Sequence, residues 1–205
     1  MRHALIAVSA AFALSALIGS AAALAGDNEV RTVSTQTVRL ARPPAPRSIS
    51  AKTAIVLDAQ TGVRLWSRGT ARKRLIASTT KMMTALVAIS RTTPNEMLTA
   101  TNYRGGLGES LLGLKPGERM SAQDLIKGLL LESGNDAADT LAAGTASSRA
   151  AFVAAMNRRA RSMGLLRTRF ANPIGLDSPN NYSTASDLAQ LARNALKVPR
   201  FSNVV

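Results

Sequence analysis

The chain of 205 residues contains no cysteine. Disulfides, zinc–thiolate sites and thiol nucleophiles are excluded with it. Histidine is almost as scarce, the single one being His3. Aromatic residues make up 3% of the chain and no recognised nucleic-acid motif is present, so nucleic acid is not an expected partner. Acidic side chains are few as well, 12 against 26 Lys and Arg, which leaves a formal net charge of +14. That balance favours anionic cell-wall polymers and an anionic membrane surface as neighbours. Solvated arginines that merely aid solubility are the plain alternative.

Long apolar runs are lacking everywhere except at the start. After Met1, Arg2 and His3, the segment from Ala4 to Ala25 is uncharged and ends in Ala23-Leu24-Ala25. It reads as a secretory signal peptide over residues 1–25, cut before Gly26. A retained membrane anchor is the competing reading, because the run is long enough to span a bilayer. The signal is preferred for its alanine content and the small residues at its end. Export to the periplasm or cell envelope follows. Removal of the segment takes away His3, and with it Ser-His-Asp triads, histidine zinc sites and histidine acid–base chemistry.

Residues 26–50, rich in Arg, Thr, Ser and Pro, read as a disordered basic linker. Order is expected over 51–205. AIVLDA, the QTG turn and VRLWS form a β-hairpin pattern. The stretch IASTTKMMTALVAIS, Ile76 to Ser90, follows as an almost wholly apolar helix. Ser121 and Asp124 stand at capping-box spacing before Leu125, Ile126, Leu129 and Leu130. That helix is expected to stop at Ser133-Gly134-Asn135, with Asn135 capping the next one. Ser148 to Met163 is another helix, ended by Gly164. Residues 170–183 read as loop, and Thr184 with Asp187 caps a last helix. Two strands followed by at least five helices describe an α+β domain.

One cation interrupts the apolar helix: Lys81, three residues after Ser78. A serine hydroxyl needs a proton acceptor before it becomes a useful nucleophile. A lysine serves if burial or a nearby cation lowers its pKa. Spacing i to i+3 on a helix puts the two side chains on one face. The spacing alone says little. With 19 serines and 6 lysines, about 0.6 such pairs are expected by chance, and the bland reading is a cap at Ser78 with Lys81 reaching to water. Two facts raise its meaning: the helix is apolar nearly all round, and no histidine is left to act as base. Ser133-Gly134-Asn135 offers a second hydroxyl for proton relay and an amide for holding a carbonyl. A turn with Asn135 as N-cap is its bland reading, and Ser178-Pro179-Asn180 shows the same pattern in a plain loop.

IASTTKMMTALVA resembles the first motif of the serine D-alanyl-D-alanine carboxypeptidases, the low-molecular-mass penicillin-binding proteins. LLLESGNDAADTLA resembles their second motif, and NPIGLDSPNNYSTASDLAQLAR the segment after it. AIVLDAQTGVRLWS is similar to their opening hairpin, and LLGLKPGERMSAQDLIKGLL to the stretch before the second motif. The resemblance runs in order from about Ala51 to Phe201, and it belongs with the S-x-x-K, Ser-x-Asn and K-T-G set. It implies the β-lactamase/transpeptidase-like fold. It also implies Ser78 as the acylated nucleophile, Lys81 as its general base, Ser133 as proton shuttle and Asn135 as substrate-orienting residue. The implied substrate is the D-Ala-D-Ala bond of a peptidoglycan stem peptide, with β-lactams as inhibitors and no metal or organic cofactor. The K-T-G motif, which lies on a later strand of the family's fold, does not occur before Val205. The expectation is therefore the N-terminal part of the domain, with the C-terminal sheet strands and half of the oxyanion hole missing. Loss of one such donor costs about 100- to 1,000-fold in rate. A non-catalytic basic cell-wall or membrane-surface binder on the same scaffold is the alternative. A class A β-lactamase relative ranks last, since the deacylating glutamate loop of that class is not recognisable.

Overall fold

The computed structural model describes residues 49–205. Residues 1–25, read as a signal peptide, and nearly all of 26–50, read as a linker, fall outside the described residues. The opening hairpin pairs β1 (Ala54–Leu57) with β2 (Arg64–Arg68) in antiparallel register, Ala54 opposite Arg68 and Val56 opposite Trp66. Its turn is tied by the Asp58 carboxylate, which accepts from the Thr61 amide at 2.6 Å and the Thr61 hydroxyl at 2.7 Å. A hairpin needs cover to be stable. Here α5 (Ala185–Ala195) supplies it, with Arg193 donating to the Ala59 and Gln60 carbonyls at 3.0 and 2.6 Å.

The centre of the fold is α1 (Lys81–Ile89), entered through a 3₁₀ turn over Ala77–Thr80. Met83, Ala85, Leu86, Val87 and Ala88 of α1 are all buried, as a helix without a polar face must be. It packs against α2 (Ala122–Leu131), α3 (Asn135–Thr145), α4 (Arg149–Ser162), α5 and the short α6 (Pro199–Ser202). Leu125, Ile126 and Leu129 of α2 join Phe152 and Met156 of α4, Leu191 of α5 and Phe201 of α6 in one core. The alanines of α3, Ala137, Ala138 and Ala142, are buried in the same core.

Most of the local signals for helix ends hold, although Gly134 and not Asn135 takes the N-cap position of α3. The Ser121 and Thr184 hydroxyls accept from the amides of Asp124 and Asp187, Ser148 caps α4 through the Ala151 amide, and Gly164 follows α4 with φ 72°. Four short strands depart from the expected order of one hairpin followed by helices. β3 (Arg74–Leu75) pairs with β6 (Tyr182–Ser183), inside the segment read as loop, and β4 (Met97–Thr99) pairs with β5 (Arg119–Ser121) between α1 and α2. Each is two or three residues long, too short for a period-2 pattern to register. The α+β class stands, with only small sheets.

Three buried polar side chains fasten the intervening loops to the helices. Asp136, in the first turn of α3, accepts from the amides of Leu112, Gly113, Leu114 and Ala137 at 2.8–3.0 Å. Asp139 accepts from the Thr101 hydroxyl at 2.6 Å and takes both Nε and a terminal nitrogen of Arg149, joining α3 to α4. Asn181, fully buried, accepts from the Ala171 amide and donates to Thr80 Oγ1 and the Leu176 carbonyl.

Burial alone would raise the Asp136 pKa, but its four N–H donors outweigh this and hold it below the usual carboxylate value. A carboxylate whose pKa falls on folding adds stability above its unfolded pKa, and that stability is lost as pH falls through the folded pKa. Replacing Asp136 by Asn should therefore cost about 2–4 kcal/mol at pH 7. Urea unfolding of both proteins at pH 7 and below pH 4 checks this: the gap between their midpoints should narrow on acidification.

Candidate active site

Among the described residues, two that are not glycine have positive φ, Ala77 at 43° and Ser133 at 59°. Each such conformation costs on the order of 1 kcal/mol and persists only where the surroundings impose it. Ala77 immediately precedes Ser78, and Ser133 is itself one of the hydroxyls singled out by spacing. The bend at Ala77 is held from the other side by Gly175, φ 93°. A Cβ there would lie 2.3 Å from the Ala77 carbonyl oxygen and 3.0 Å from the Ser78 amide nitrogen. Only glycine allows that approach.

Ser78 is not a helix cap. No side-chain cap bond forms at the start of the 3₁₀ turn, whose flanking residue is Ile76, and α1 begins three residues after Ser78, at Lys81. The hydroxyl is thereby left free to meet the lysine. Lys81 is 3% exposed, and its Nζ has three neighbours: Asn135 Oδ1 at 2.6 Å, the Ile174 carbonyl at 2.7 Å and Ser78 Oγ at 3.4 Å. Burial lowers its pKa from 10.5 to about 8, against the opposing field of Glu109.

These contacts define what the amine can do. An ammonium carries three donors, and here each has an acceptor. Once neutral, the amine keeps two N–H bonds for Asn135 and Ile174, and its lone pair is left for the third neighbour, the Ser78 hydroxyl. The serine can then donate where it had accepted. At pH 7, about a tenth of a group with pKa about 8 is neutral, enough for a base that reloads quickly.

Asn135 is likewise not the cap of α3. Gly134 holds that position without a side-chain bond, and Asn135 is the first helical residue, 6% exposed. Its amide is used at both ends: Oδ1 accepts from Lys81, and Nδ2 donates to Glu109 Oε2 at 2.7 Å. Ser133 is half-buried two residues earlier, and among the hydrogen bonds of the described residues none joins it to Ser78 or Lys81. The fold thus brings Ser78, Lys81 and Asn135 into direct contact and places Ser133 on the adjoining turn. Ser178 and Asn180, which share the Ser-x-Asn spacing, form a local turn through the Asn180 amide and Ser178 Oγ at 3.3 Å.

The spacing of chemical motifs did not point to the other members of the site. The Ile174 contact is a backbone carbonyl, held in place by Asn172, whose Oδ1 accepts from Gly175 and Leu176, and by Thr84, whose hydroxyl donates to the Pro173 carbonyl at 2.6 Å. Glu109 lies 26 residues before Asn135 and has no local pattern. Among the described residues, no group of three or more His, Asp or Glu side chains is disposed to hold a metal ion.

Comparison with known proteins gives the family. Residues 37–204 match the D-alanyl-D-alanine carboxypeptidase family. D-alanyl-D-alanine carboxypeptidase DacF of Bacillus subtilis is 33% identical over 152 residues, which is 72% of this chain and 39% of that protein. DacD of Escherichia coli is 38% identical over 161 residues, 73% of this chain and 42% of that protein. Penicillin binding protein 6B of Escherichia coli superposes with a TM-score of 0.73 at 35% identity, over 78% of this chain and 55% of that one. A D-alanyl-D-alanine carboxypeptidase of Mycobacterium tuberculosis gives 0.71 at 35% identity, over 82% and 62%. The chain spans about two fifths of the length of the curated relatives it matches. With the strained turn before Ser78, the buried lysine beside it and a match over most of its length, the chain belongs to the D-alanyl-D-alanine carboxypeptidase family.

Proposed function

We propose that the protein is a serine peptidase that removes the terminal D-alanine from peptidoglycan stem peptides through an acyl-enzyme. The observation that carries this reading is the Lys81 amine, buried, lowered to about 8, and 3.4 Å from Ser78 Oγ. In the first step neutral Lys81 takes the Ser78 proton, and Ser78 Oγ forms a bond to the carbonyl carbon of the penultimate D-alanine. The C–N bond then breaks. The leaving amine receives a proton relayed from Lys81 through Ser133, and D-alanine departs. Water hydrolyses the ester, with Lys81 again accepting a proton, and frees Ser78. Asn135 orients the substrate amide while holding Lys81. A β-lactam presents a similar carbonyl to Ser78 and acylates it. The apolar segment 4–25 and the basic charge support export to the periplasm or cell envelope, beside an anionic wall and membrane surface.

Fluorescent penicillin tests the reading. A stable label is expected on the folded protein, and Ser78→Ala should abolish it, as should Lys81→Ala. A folded sample that takes no label, yet binds peptidoglycan in a salt-sensitive way unaffected by Ser78→Ala, would replace this reading with that of a non-catalytic wall binder.

The pH dependence is a second check. The base must be neutral, so labelling at limiting penicillin should rise about tenfold per pH unit below the Lys81 midpoint. It should level off above pH about 8. A flat rate between pH 6 and 9 would remove Lys81 from the role of base.

A further inference from the structure

The site contains one carboxylate for which the mechanism above has no use. Glu109 lies on the segment between β4 and β5 and is partly exposed. It is nevertheless held on three sides. Oε2 accepts from the Tyr103 hydroxyl at 2.5 Å and from Asn135 Nδ2 at 2.7 Å, and Oε1 accepts from the Gly106 amide at 3.0 Å. These donors keep its pKa below the usual glutamate value, the Tyr103 bond contributing most. The same bond, added to burial, pushes the Tyr103 phenol up to about 12, so it stays a donor across the working range. The segment bearing Glu109 is fixed to α3 at two further points, through Asp136 and through the Asn135 backbone N–H, which donates to the Ser110 carbonyl at 2.9 Å.

We propose, building on the serine-peptidase reading, that Glu109 is a positioning residue: its carboxylate holds the Asn135 amide in the one orientation that turns Oδ1 toward Lys81. The alternative flip would place the Asn135 NH₂ against the Lys81 amine, donor against donor. Asn135 bridges Glu109 and Lys81, with contacts of 2.7 and 2.6 Å on its two sides, so the carboxylate sits one amide away from the amine. Glu109 therefore does two things through Asn135. It fixes the acceptor that directs the lone pair of neutral Lys81 toward Ser78, and its negative charge favours the ammonium form. The groups facing Lys81 from each packed element are Ser78 from the 3₁₀ turn, Asn135 from α3, the Ile174 carbonyl from the loop before β6, and Glu109 from the segment after β4. Of these only Glu109 is charged. Asp139, near Tyr103, is already engaged by Arg149 and Thr101.

The test separates charge from geometry. Glu109→Gln keeps an acceptor for Asn135 and removes the charge. The Lys81 titration, followed by ¹³C NMR at its ε-carbon, should move down by about half a unit relative to wild type, and the inflection of penicillin acylation should move with it. Glu109→Leu removes the acceptor too, and should cut the acylation rate on the high-pH plateau by about 10- to 100-fold. Glu109→Asp keeps the charge but withdraws it by one methylene. It should lower the plateau rate and shift the Lys81 midpoint less than Gln, and it serves in place of Gln if that variant does not fold. A residue that only stabilised the loop would lower rates without moving either the NMR midpoint or the acylation inflection, and that result would overturn the proposal. If wild type takes no penicillin label, the serine-peptidase reading fails, while a Lys81 midpoint that does not move in Glu109→Gln would overturn the link from Glu109 to Lys81 independently of that result.

Discussion

A basic amine enclosed in an apolar helix bundle is the constraint on which the rest of this structure depends. Lys81 sits at the first turn of the most buried helix, among Met83, Thr84 and Ala85. Water cannot solvate it there, so the protein must supply acceptors or lose several kcal/mol. It supplies three, from three separate parts of the chain: Ser78 three residues earlier, Asn135 at the head of α3, and the Ile174 carbonyl from a loop 93 residues away. Satisfying the ammonium and assembling the site are thus one problem. The remaining imbalance, burial against a single nearby carboxylate, leaves the amine near pH 8, where it can exchange a proton at little cost.

Loops deliver two of the three acceptors or their supports, and loops are ordinarily the mobile parts of a protein. Here they are fixed by side chains of the buried helices. Asp136 takes three consecutive amides of the 112–114 stretch, Thr84 takes the Pro173 carbonyl, and Asn172 and Asn181 brace the turn that carries Ile174. Gly175 lets that turn press against the bend before Ser78. The strain at Ala77 is offset by this surrounding framework together with the Thr79 bonds to the Ile76 carbonyl. The β4–β5 pairing closes the loop between them at its base, the Arg169–Tyr182 bridge closes the loop that carries Ile174, and the β3–β6 pairing ties the end of that loop to the strand before Ser78.

Much of the framework was legible. Ser121 with Asp124, Thr184 with Asp187, and Ser148 act as helix caps because capping is an i to i+3 interaction that a short window contains. The apolar content of residues 82–88 announced a central helix for the same reason. The short strands were not legible: Arg74 and Ser183 are 109 residues apart in sequence, and neither carries a strand pattern. Two cap assignments failed in an instructive way. Ser78 and Asn135 have the right chemistry for caps, but both side chains turn instead to Lys81, because a buried ammonium outbids helix ends whose amides have other partners.

The sequence by itself determined the chemical inventory. It excluded thiol and, beyond the leading segment, histidine chemistry. It paired a serine with a lysine at helical spacing and aligned a set of motifs in one order, all of which are properties of composition and of near neighbours. The tertiary structure decided the rest. It selected which amide meets the lysine, made a backbone carbonyl the third acceptor, and brought Glu109 behind Asn135. Those are contacts between residues 26 to 93 positions apart, and they depend on burial and on the exact course of loops. No local pattern encodes them, because the energy that enforces them, the cost of an unpaired polar group in an apolar core, exists only once the core has formed.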